Sequence, residues 1–67
     1  MDKISQRIKE IRTENGLSQS DFGKSISVSQ DTVSLWEKGK SLPCTETVIA
    51  ICKQYGISAD YLLGLED

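Results

Sequence analysis

Histidine is absent from this chain of 67 residues, and with it the commonest metal ligand and general base. No glycine-rich loop of the kind that cradles a phosphate occurs, and no paired acids stand where a pocket is expected. Cysteine is scarce. Cys44 and Cys52 match neither a zinc nor a redox spacing, and neither has an identifiable base as partner. Both are expected to be reduced and structural. Cys52 falls on the apolar side of a helix, where a thiol acts as a small hydrophobe, while Cys44 is expected to be partly exposed and open to slow oxidation. So short a helical chain also leaves little room for a substrate cleft. Together these absences argue against an enzyme, and no metal or cofactor is expected.

Long apolar runs are missing too. None approaches the roughly 18 residues needed to span a bilayer, and Met1-Asp2-Lys3 leads into no signal peptide, so no membrane partner and a cytoplasmic setting are expected. Strand-like alternation, internal repeats and low-complexity stretches do not occur. What remains is 37% hydrophobic and 27% charged, the balance of a soluble globular unit. The expectation is a single domain over residues 1–67. A domain of this size buries only about 60% of its unfolded surface, so its core is marginal. Helix packing, helped by any dimerisation, must supply the stability.

Apolar spacing predicts five helices. Ile4, Ile8 and Ile11 form one stripe on a first helix over about Lys3 to Glu14, ended by Asn15 and Gly16 with Leu17 folding back. Ser18 and Asp21 have capping-box spacing, so a second helix is expected from Gln19, with Phe22 and Ile26 on its apolar side. Ser27, Val28 and Ser29 break it. Ser29 can cap a third helix from Gln30 to about Lys38, with Val33 and Trp36 inward and Gly39 ending it. Pro43 marks the exit from the next loop. Thr45 is read as the cap of a fourth helix, whose Val48, Ile51, Cys52 and Tyr55 share one side. Gly56 stops that helix and Ile57 packs beneath the break. Ser58 can cap a short fifth helix carrying Leu62 and Leu63. The fold class read from this pattern is all-α, a compact five-helix unit. Its second and third helices, joined over about 18–38 by so short a connection, have a helix-turn-helix arrangement.

The segment LSQSDFGKSISVSQDTVSLWEKGK, residues 17–40, resembles the phage repressor and Cro-type helix-turn-helix family, also called XRE-like. The likeness runs from about Ile4 to Gly64. IKEIRTENGLSQ resembles the family's first helix and the turn into the second. SLP and then VIAICKQYGISADYLLG resemble its fourth and fifth helices. Each phrase alone is weak evidence, but all of them in register over nearly the whole chain are specific. The resemblance implies a lambda-repressor-like DNA-binding domain, double-stranded DNA as partner and transcription regulation as role, with repression the leading expectation.

It also implies roles for residues. The family pairs an arginine and a glutamate at the positions of Arg12 and Glu37, so a partly buried bidentate salt bridge is expected to tie the first helix to the third. Opposite Val33 and Trp36, the third helix presents Asp31 and Leu35, flanked by Gln30, Ser34 and Lys38. Gln30 is the best base-reading candidate, since its amide can donate to N7 and accept from N6 of adenine. Thr32 and Ser34 can meet a base, a phosphate or only water. Asp31 and Leu35 depart from the family. Position 35 there often carries arginine, lysine or glutamine, and leucine cannot hydrogen-bond to guanine, though it can pack on a thymine methyl. An aspartate facing the groove repels phosphates but can accept from cytosine N4. Ser27 departs as well, because the family commonly has glycine in that turn, and a positive φ there costs serine about 1–2 kcal/mol. Backbone phosphates are assigned to Gln19 and Ser20 in the first turn of the second helix, and to Lys38 and Lys40. Lys24 reads better as a solvated lysine.

Two features sit less easily with a DNA reader. The net charge is −2, whereas DNA binders are commonly basic. Residues 1–40 hold seven Lys or Arg against six Asp or Glu, while residues 41–67 hold one Lys against four acids, so the surplus lies away from the expected DNA face. One helix also binds too weakly to act alone. The family implies a two-fold dimer, for which Tyr61, Leu62, Leu63 and Leu65 are candidates, unless they cap the monomer core instead. The rival reading is a protein-interaction module of the same fold, an antitoxin-like or adaptor component whose protein partner would cover Asp31 and Leu35.

Overall fold

Three serines start three of the helices. In the computed structural model, which describes residues 3–66, Ser18, Ser29 and Ser58 each hold extended backbone. Each hydroxyl oxygen accepts from the amide three residues on, at 3.0, 3.2 and 3.0 Å. Such a bond satisfies one of the orphan donors of a helix start, and replacing the cap by alanine typically costs about 1 kcal/mol. The elements are α1 Lys3–Glu14, α2 Gln19–Ser25, α3 Gln30–Glu37, α4 Thr45–Tyr55 and α5 Ala59–Leu62, with no strand among the described residues. None of these helices is long and apolar enough to cross a membrane.

The fourth cap differs from expectation. Cys44, not Thr45, occupies it, and the Val48 amide closes the first turn on the Cys44 carbonyl at 2.9 Å. The turn therefore starts one residue earlier, and Thr45 is already helical. The Cys44 thiol does not cap the helix as the serines do; its sulfur lies 3.3 Å from Thr47 Oγ1. That hydroxyl bond is the largest cause holding the exposed Cys44 thiol below its ordinary pKa, whereas burial pushes the half-buried Cys52 thiol up. Thiolate is the nucleophile, so limiting iodoacetamide should label Cys44 well before Cys52, which peptide mass analysis reads directly. Prior labelling of Cys52 would contradict the placement of both.

Helix ends follow one pattern with one exception. After α3, the Gly39 amide reaches Trp36 O at 3.1 Å and the Lys40 amide reaches Leu35 O at 2.9 Å, a Schellman closure with Gly39 at φ 74°. After α2 the equivalent bonds run from Ser27 to Lys24 O at 3.4 Å and from Val28 to Gly23 O at 2.9 Å. Here the left-handed residue is Ser27, at φ 63°, the single non-glycine with positive φ among the described residues. Relieving its Cβ strain outweighs the extra unfolded-state entropy of glycine, so Ser27→Gly should raise stability by about 0.5–1 kcal/mol. A thermal melt should move up by about 4 °C for this small domain. A lower melting temperature would mean that the strain is not felt.

The core is a single cluster. Ile8, Ile11, Phe22, Ile26, Val33, Trp36, Ile51 and Leu62 are buried, with Ile4, Val48, Cys52, Tyr55 and Ile57 packed partly against them. Every helix contributes, so the two-turn helices that would not survive alone are held by shared burial. Tyr55 of α4 stacks on Phe22 of α2 with ring centroids 5.2 Å apart, and its hydroxyl lies 2.5 Å from Ser25 Oγ.

At the other end α5 closes onto α1. Leu62 has no exposed surface, so it belongs to the monomer core and is removed from the dimer candidates. The α1 stripe packs against that leucine in the shared core. Arg7, which periodicity assigned no role, is buried beneath the same segment. Its guanidinium carbon stands 3.9 Å from the Tyr61 ring centroid, and Nη2 donates to Glu66 O at 3.4 Å. The ring face and a carbonyl take the place of a carboxylate partner. Tyr61 is thereby half-buried against its own chain, while Leu63 and Leu65 remain exposed.

Candidate nucleic-acid interface

Two short helices can stand this close only if a backbone contact replaces a side chain. Gly23 sits inside α2 facing the turn, and a Cβ there would lie 2.6 Å from Val28 O and 3.3 Å from the Ser29 carbonyl carbon. Gly23 O also accepts from the amides of Ile26 and Val28 at 3.1 and 2.9 Å. One glycine thus lets the α2 backbone meet the entrance to α3. Sequence reasoning missed this residue, although a glycine inside a helix is itself a signal of close packing.

The exit of α3 is fixed by charge. Arg12 Nε donates to Glu37 Oε2 at 2.6 Å and Nη2 donates to Oε1 at 3.1 Å, the bidentate pairing expected. Arg12 Nη1 also donates to Leu17 O at 2.9 Å, and Gln19 Nε2 donates to Glu37 Oε1 at 3.3 Å. The carboxylate therefore ties α1 and α2 to the end of α3, and the same guanidinium holds the α1–α2 turn. The bond from Glu37 holds the Arg12 guanidinium above its ordinary pKa, chiefly by hydrogen bonding, with desolvation opposing it. A planar fork gripping a carboxylate fixes orientation as well as distance.

What this frame presents is the outer side of α3. Gln30, Asp31 and Leu35 are exposed, Leu35 to 42% despite being apolar. The Asp31 carboxylate has no hydrogen-bond or ion-pair partner among the described residues. It lies in the first turn, where the helix dipole favours an anion. Thr32 and Ser34 are half-buried. The Thr32 hydroxyl lies 2.9 Å from Ser29 Oγ, so the cap engages it. Gln19 and Ser20 are half-buried in the first turn of α2, and Lys38 and Lys40 are exposed after α3. The Gln19 bond to Glu37 brings the α2 start beside the residue preceding Lys38, which sequence spacing alone did not require.

A family profile described as helix-turn-helix, HTH_3, matches residues 8–62. The chain belongs to the helix-turn-helix family. Among the relatives of this helix-turn-helix protein, repressor protein CI of Enterobacteria phage phi80 is 38% identical over 66 residues. That match covers 98% of this chain but 28% of the repressor. An uncharacterized transcriptional regulator of Bacillus subtilis, YgzD, is 30% identical over 64 residues, covering 96% of this chain and 97% of its own length. The P22 c2 repressor, solved in complex with a synthetic operator, superposes with a TM-score of 0.88 at 30% identity. It is covered over its whole length and covers 98% of this chain. The helix-turn-helix unit spans only half, 50%, of the Bacillus subtilis regulator ImmR and 32% of the activator BcrR of Enterococcus faecalis.

Proposed function

We propose that this chain is a sequence-specific, double-stranded DNA-binding transcriptional regulator, most simply a repressor or phage-type switch protein. It places α3 in the major groove of a roughly palindromic operator. The observation that carries this reading is the anchored α3 itself. A partly buried bidentate salt bridge fixes its exit, a glycine contact fixes its entrance, and its outer residues are left exposed. The match to a repressor solved on an operator supports the same use of the same face.

In this reading residues 1–67 act as one domain in the cytoplasm, as a homodimer whose half-sites lie about 10 base pairs apart. Leu63 and Leu65 are the apolar residues left to contribute to the dimer contact. Regulation follows from reversible occupancy of a promoter, with no bond made or broken. Gln30, Asp31 and Leu35 face base edges, with Ser34 and Thr32 beside them. Gln19, Ser20, Lys38 and Lys40 hold phosphates and set register.

Selecting bound duplexes from a random DNA pool, at low and physiological salt, tests the proposal. A two-fold symmetric site should be enriched. Recovery of unrelated, salt-sensitive sequences, or of none, would favour a protein partner on this face. With the site in hand, Gln30→Ala should weaken binding to it by about 1–3 kcal/mol and relax one position. Lys40→Ala should weaken all sequences alike and lower the salt slope by about one. Equal losses from both substitutions on specific and random DNA would refute this division of labour.

A further inference from the structure

We infer that Asp31 and Leu35 together read a cytosine and a thymine about two base pairs apart in each half-site, Asp31 by accepting from the cytosine amino group and Leu35 by covering the thymine methyl. The inference rests on α3 being the groove helix. Both side chains are exposed on one side of α3, four residues apart, which is one turn or about 6 Å along the axis. Stacked base pairs rise about 3.4 Å, so that separation corresponds to roughly two steps.

The chemistry of each is restrictive. An ionised carboxylate only accepts hydrogen bonds. In the major groove guanine shows two acceptors, thymine shows an acceptor and a methyl, and adenine sets an acceptor beside its donor. Cytosine alone offers a donor without an acceptor of its own on that edge. Asp31 therefore selects cytosine as much by repelling the other edges as by bonding to it. Among the described residues no cation or side-chain donor bonds to its carboxylate, so α3 presents that charge to whatever it meets. Leu35 can form no hydrogen bond, and an apolar side chain 42% exposed gains by covering a methyl rather than a polar edge. Exposed positions on a helix held from both ends can also be changed without disturbing the core.

The test compares the selected operator with variants altered one group at a time, measured by fluorescence anisotropy. Uracil in place of the assigned thymine removes the methyl and nothing else. It should weaken the unaltered protein by about fourfold, the worth of one buried methyl, and leave Leu35→Ala unaffected. Asp31→Asn should move the preferred base from cytosine to adenine by about fivefold or more, because an amide can bond to adenine at both N6 and N7. It should also tighten binding to random DNA, since a repulsive charge is gone. Melting temperatures within a few degrees of the parent for both variants, Asp31→Asn losing only the dipole contribution, establish that the fold is intact. Specific binding with no cytosine preference, or with equal uracil effects in both proteins, would overturn the pairing while leaving the regulator reading in place. Absence of any specific site would overturn both.

Discussion

Glu37→Ala is expected to destabilise the fold by about 3 kcal/mol, at the lower end of the cost of leaving one member of a buried ion pair alone. Glu37 is only 8% exposed, and its two oxygens accept from Arg12 twice and from Gln19 once. Removing it strands a guanidinium whose remaining bond, to Leu17 O, cannot balance the charge. For a domain of this size the melting temperature should fall by more than about 10 °C. The double variant Arg12→Met/Glu37→Met is expected to be more stable than Glu37→Ala, since no buried charge is then left unpaired. A double-mutant cycle read by thermal denaturation separates the pair from its context. Among molecules that remain folded, operator affinity should change less than stability, because the pair positions α3 without facing its outer side. A melting temperature unchanged in Glu37→Ala would show that the carboxylate does not hold the helices.

Gly23→Ala should cost about 2 kcal/mol net. Helix propensity alone argues the opposite, since alanine is preferred to glycine by about 1 kcal/mol inside a helix. Here the added Cβ would stand 2.6 Å from Val28 O, a backbone atom of a residue whose own amide is held by Gly23 O at 2.9 Å, with no flexible side chain to move aside. Overpacking of this kind costs up to about 3 kcal/mol, which outweighs the propensity gain. The damage falls on the angle between α2 and α3, so DNA affinity should drop along with stability. A Gly23→Ala protein as stable as the parent, or more so, would mean that the two helices stand further apart. Gly23→Ser should behave at least as badly, because serine adds a hydroxyl to the same Cβ.

These two residues differ in how visible they are. Arg12 and Glu37 are 25 positions apart, and the resemblance to a family that pairs them makes the bridge legible in the sequence. The third member, Gln19, was assigned to phosphate alone; its bond to Glu37 depends on where α2 comes to rest. Gly23 was passed over because local pattern gives it no face to occupy. Its importance lies in the distance to another segment, which no periodicity encodes. Arg7 was invisible for a similar reason. A lone arginine beside an apolar stripe reads as solvated until α5 places an aromatic ring over it.

The sequence by itself determined the helices and most of their ends, because serine caps, left-handed glycines and apolar spacing act over a few residues. It determined as well which side of α3 faces outward, since Val33 and Trp36 leave no other side for Asp31 and Leu35. The start of α4 slipped by one residue, where threonine propensity for the cap gave way to the turn closed on the Cys44 carbonyl. Only the tertiary structure decided the fate of the C-terminal leucines. Leu62 went into the core and Leu63 and Leu65 stayed outside, a choice made by the docking of α5 on α1. Burial, buried-charge pairing and backbone contact are properties of segments brought together from distant parts of the chain, so they are settled when the helices pack and not before.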